Sequence, residues 1–205
     1  MSLLKPSDYT LDLLDERLVV IRDFMLEGRK TSLASDSFHP ELGDDAWTVG
    51  TTAYKRIGRL ILDAADSLDY PWLTLVNPMP DLVFRIGKTT ARFGNGDENQ
   101  NPRKKLRRPH ITEILAIQEE IRFSNEPRRI NTTTVWRFVY NVGADLDYNS
   151  IHLVLIDEEA EGAPLYVYPL YKRDDIVEFA SFYERAAEVG EPMAKVPTAE
   201  VKGKP

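Results

Sequence analysis

The chain has 205 residues, enough for one domain, and 42% of them are hydrophobic, so it can bury a core. It has no cysteine, which excludes disulfides, a thiolate nucleophile and zinc or iron–sulfur sites built on Cys. The net charge is −7, yet residues 82–137 hold twelve basic and six acidic side chains, +6 against −13 for the remainder; that asymmetry concerns partners, not fold.

Asp12, Asp15 and Glu16 interrupt any signal-like apolar stretch near the start. No apolar run approaches the ~18 residues of a membrane span. A soluble, cytoplasmic protein without a membrane partner is expected. Leu11, Leu14, Leu18, Ile21 and Met25 recur at helical spacing, with Thr10 as N-cap and Gly28 as stop. This stripe covers barely two heptads, so it is expected to pack on the protein's own sheet rather than form a dimer seam, and it assigns no oligomeric state. Residues 31–45 read as a loop. A second helix is expected over 47–68 on Tyr54, Ile57, Ile61, Ala65 and Leu68, closed by Pro71.

Residues 72–76 form a short apolar run before the turn Asn77-Pro78-Met79-Pro80. Residues 82–86 and 89–93 read as a hairpin around Gly87-Lys88, with Gly87 opening a type II′ turn. A polar loop over 94–102 leads to the basic run, then a helix over 109–123 carries Ile114, Ile117 and Ile121 on one side. Residues 125–131 read as a second basic loop. In 132–142 the even positions Trp136, Phe138, Tyr140 and Val142 are apolar or aromatic, with Arg137 and Asn141 on the other face. The run 151–156 is apolar on both faces except at His152 and is expected inside the sheet. A strand over 165–171 returns from an acidic loop. A last helix is expected over 175–189, with Asp175 and Glu178 as a capping box, and a tail over 191–205. The fold class is therefore α+β: a mainly antiparallel sheet of about five or six strands with two N-terminal helices, one central and one C-terminal helix. Residues 1–190 read as one domain, helical to 70 and sheet-containing from 71.

Known chemical motifs fail on inspection. Arg85-Ile86-Gly87-Lys88-Thr89-Thr90 ends like a phosphate-binding loop, but Leu82 stands where its first glycine belongs and no helix follows. Asp145-Leu146-Asp147 opens like a calcium loop, but Ser150 and Ile156 occupy its glycine and glutamate positions. Pairing Asp145 and Asp147 with Asp157 or Glu158, as a metal-dependent nuclease would, requires bridging a strand ~20 Å long. His39, His110 and His152 show no ligand spacing, and no serine sits in a nucleophile elbow. No catalytic residue, metal site or cofactor is predicted.

The basic segment remains. Arg85, Lys88, Arg92, Arg103, Lys104, Lys105, Arg107, Arg108, Arg128 and Arg129 are the candidate contacts to DNA or RNA phosphates. Tyr140, Tyr166, Tyr168 and Tyr171 either stack on bases beside them or pack in the core. The leading expectation is a non-enzymatic regulatory or nucleic-acid-associated protein contacting phosphates through 85–137. The alternative is a protein–protein module, such as an inhibitor, antitoxin-like or phage accessory protein, pairing this segment with an acidic partner surface or the acidic ends with a basic one; a weaker alternative is a metal-dependent nuclease holding a divalent ion on Asp145, Asp147 and Asp157 or Glu158.

Overall fold

The computed structural model describes residues 4–34, 38–100, 102, 104–123, 134–158 and 163–173. The chain divides into a unit of residues 1–172, which carries every described element, and a unit of residues 173–205. The helix expected over 175–189 and the tail over 191–205 lie outside the described residues. No helix among the described residues is long and apolar enough to cross a membrane.

The fold is α+β, built on a six-stranded sheet ordered β1 to β6: Leu73–Asn77, Val83–Ile86, Thr89–Asn95, Thr134–Val142, Tyr148–Asp157 and Tyr166–Lys172. Neighbours are antiparallel except β3 and β4, which run parallel with Ala91 opposite Trp136 and Arg92 opposite Arg137. A parallel pair needs a crossover. Among its described residues are two helices, α4 (Lys104–Arg107) and α5 (Ile111–Phe123). Gly87 has φ +61°, whereas Lys88 is not in the positive-φ region, as the predicted type II′ turn requires.

On one face lie α2 (Asp15–Leu33) and α3 (Ala46–Asp66), preceded by the short α1 (Pro6–Tyr9). Leu18, Ile21 and Met25 of α2 and Ile57 and Ile61 of α3 bury against Phe84, Ile86, Ala91, Phe93, Trp136, Phe138, Ile151 and Leu153. The sequence placed the first helix several residues early. Leu11 is exposed, Leu14 is the N-cap, and Gly28 lies inside α2 rather than at its end. A Cβ on Gly28 would stand 2.5 Å from Cγ1 of Ile57, so this glycine permits close approach of α2 to α3. Leu68 lies beyond α3 and is exposed, whereas Ile57 and Ile61 carry the expected stripe.

The other sheet face is buried too. Val135, Val139, Val154 and Ile156 form a second cluster with Leu106 of α4, so the unit of residues 1–172 has three layers. Arg137, expected on a polar face, is fully buried. Alternation along β4 is intact, but α4 and α5 cover the face that alternation alone would leave to water.

Candidate partner-binding face

The crossover is held to the sheet by arginines. Arg92 and Arg137 stand side by side on adjacent strands. Like charges opposite one another repel, and burying both without a counter-ion is costly. Glu113, in the first turn of α5 and fully buried, supplies that charge. Nη1 of Arg137 donates to its Oε1 at 2.8 Å and Nη2 to its Oε2 at 3.1 Å, a fork on both carboxylate oxygens. Nε of Arg137 donates to the Leu106 carbonyl at 2.6 Å and Nη1 to that of Trp136 at 2.8 Å. Burial pushes the Arg137 guanidinium down to about 10, against the pull of Glu113, so it stays charged at neutral pH.

Arg92 is only 6% exposed. Its Nη1 donates to the carbonyls of Lys105 at 3.2 Å and Arg108 at 3.4 Å, and lies 3.9 Å from Glu113. Arg85 donates to the Ala116 carbonyl of α5 at 2.8 Å. Glu113 also accepts from the His110 backbone N–H at 2.7 Å, the return half of a capping box, so one carboxylate ends the helix and neutralises the arginine. Asp81, before β2, pairs with Lys105 at 3.0 Å, which lowers its carboxyl below the usual range.

The ten predicted contacts therefore separate. Arg85 and Arg92 turn to backbone carbonyls within the fold. Lys88 is exposed at the β2–β3 turn, where its backbone N–H donates to Asp12 at 2.9 Å. Lys104, Lys105 and Arg108 are exposed on or beside α4, and Arg107 is half-buried there. Arg103, Arg128 and Arg129 lie outside the described residues. Tyr140, Tyr166, Tyr168 and Tyr171 pack against the main core on the sheet face of Trp136 and Phe138, opposite that of Arg92 and Arg137.

Sequence reasoning missed Glu113 and the outer side of α5. Glu113 stood three residues after His110, the spacing of a capping box, in a helix that was expected. The buried side of α5 carries Glu113 and Ala116, while Ile111, Ile114 and Leu115 are 61%, 37% and 50% exposed. Asp145 and Asp147 precede β5 and Asp157 ends it, opposite Thr134 at the start of β4, so the strand separates them. Among the described residues no three His, Asp or Glu side chains gather as a metal site. No protein-family model, curated protein or solved structure matches the chain.

Proposed function

We propose that this is a non-enzymatic regulatory binding protein of the cytoplasm that engages an acidic protein surface through α4 and α5. The observation that carries this reading is the division of labour among the cations. Arg85, Arg92 and Arg137 fix the backbone of the crossover from beneath, and Lys104, Lys105 and Arg108 are left at the surface. A preformed basic surface raises the association rate with an acidic one and loses little entropy on binding. The test is co-purification from the native host, comparing wild type with Lys104→Glu/Lys105→Glu/Arg108→Glu after nuclease treatment. A stoichiometric protein retained by wild type, released by salt and lost from the variant is expected. Equal capture by both would overturn the reading.

A second reading, contact with DNA or RNA phosphates, is favoured by the density of surface cations: Lys104, Lys105 and Arg108 lie within five positions. Its signature is affinity for duplex DNA, single strands or RNA that falls steeply with salt and is insensitive to sequence. Anisotropy at about 50 mM salt decides it, and no binding under that condition ends it.

A further inference from the structure

Resting on the reading that α4 and α5 meet an acidic protein, we infer that the occupant of this face is an acidic amphipathic helix. Ile111, Ile114 and Leu115 occupy positions i, i+3 and i+4 of a thirteen-residue helix. They point away from the side that buries Glu113 and Ala116. Aliphatic side chains at that spacing make the ridge into which the apolar face of a second helix packs. Phosphates offer such a ridge nothing, so the stripe separates a protein occupant from a nucleic acid.

Charge selects the sign of the occupant. Lys104 and Arg108 are exposed just before α5, Lys105 between them is exposed but paired with Asp81, and the three-residue step from Arg108 to Ile111 spans at most ~10 Å. A helix lying on the stripe thus brings its flanking side chains within reach of these cations. Glu113, in the first turn of α5, is buried on Arg137 and does not face the occupant. The sequence places Glu119 and Glu120 toward the far end of α5, so the match to acidic residues belongs to its first half. The platform is also rigid: α4 is held from below at Lys105, Leu106 and Arg108, and α5 at Glu113 and Ala116. Binding then costs little reorganisation.

The test uses the full chain and a fluorescein-labelled helical peptide with Leu at i, i+3, i+4 and i+7 and Glu on its other faces. One control replaces every Leu by Ser at the same charge; another replaces Glu by Lys and keeps the Leu. The Leu–Glu peptide is expected to bind, and both controls at least about tenfold more weakly. Ile114→Asp and Leu115→Glu, both at exposed positions, should each lower affinity about tenfold with unchanged circular dichroism and melting temperature. Equal binding of the Leu and Ser peptides would overturn the amphipathic helix yet leave the acidic-surface reading standing. Failure of both acidic peptides would overturn the two together. Duplex DNA bound equally by wild type and Ile114→Asp, with no peptide bound, would assign the face to nucleic acid. A concentration-dependent dimer dispersed by Ile114→Asp in sedimentation would assign it to a second copy of the chain.

Discussion

Glu113→Ala is expected to be among the most damaging single substitutions on the α4–α5 side of the sheet. Both partners of its ion pair with Arg137 are fully buried. Deleting one member of a buried pair leaves the other charged and without a counter-ion, at a cost of about 3–5 kcal/mol. Here Arg137 keeps the Leu106 and Trp136 carbonyls, which tempers the loss. Arg92, 3.9 Å from the same carboxylate, loses one counter-ion but keeps Asp81 at 4.0 Å. A loss within that range is therefore expected, or a fall in melting temperature on the order of 10 °C for a chain of this size. Urea unfolding followed by tryptophan fluorescence measures it directly, since Trp136 adjoins Arg137 in β4. Glu113→Gln separates two contributions, because it still accepts the His110 N–H at the helix start but carries no charge. It should recover only the capping part, about 1 kcal/mol. Replacing both partners, Arg137→Met with Glu113→Leu, should be more stable than either single variant, since no uncompensated charge remains. A loss below about 1 kcal/mol for Glu113→Ala, the range of a solvated surface pair, would refute this account of the crossover.

Three further outcomes are expected. Gly28→Ala gains helix propensity but forces a methyl onto Ile57, so it should destabilise by about 1–3 kcal/mol in urea. Gly50→Ala, in α3 with nothing within 4 Å of the new Cβ, should instead stabilise by about 0.5–1 kcal/mol. Burial lowers the His152 imidazole below 6.5 against the pull of Glu98; the unfolded chain takes up the proton first, so stability should fall as pH drops below 6.5. Urea midpoints of His152→Gln should be flatter than wild type between about pH 5 and 7. Burial raises the phenols of Tyr54, Tyr140 and Tyr148 above 10.0, so above that pH the unfolded chain releases protons that the fold retains, and stability should decline. The lowered Arg137 opposes this decline from about 10 upward, and Tyr148→Phe should lessen it in a thermal-melt series.

The strands were legible because alternation and turn chemistry are local. Gly87-Lys88 announced a hairpin, and 151–156 a strand covered on both faces. The start of α2 was misread because Leu11 and Leu14 continue its period by sequence, while the chain turns at Thr10 and lets Leu13 enter the core instead. The basic segment was the harder case. A charge count does not distinguish an arginine reaching a solvated phosphate from one reaching a carbonyl of its own crossover. That difference depends on α4 and α5 folding back over β3 and β4, a relation between residues far apart in sequence. Arg137 carried the available hint: a cation in the middle of a strand, flanked from 135 to 140 by Val, Trp, Phe and Tyr alone.

The single parallel pair also bears on how the protein acquires its shape. β1 to β3 can zip together from neighbouring segments, as can β4 to β6. Joining the two halves at β3 and β4 requires closing the whole crossover, whose entropy cost grows only logarithmically with length but precedes the contacts that reward it. The two arginines of that seam lie on opposite halves, Arg92 on one and Arg137 on the other, and Glu113 lies in the strap between them. The seam is accordingly the strand pair with the longest loop to close, and the charged triad ties its two sides to that loop.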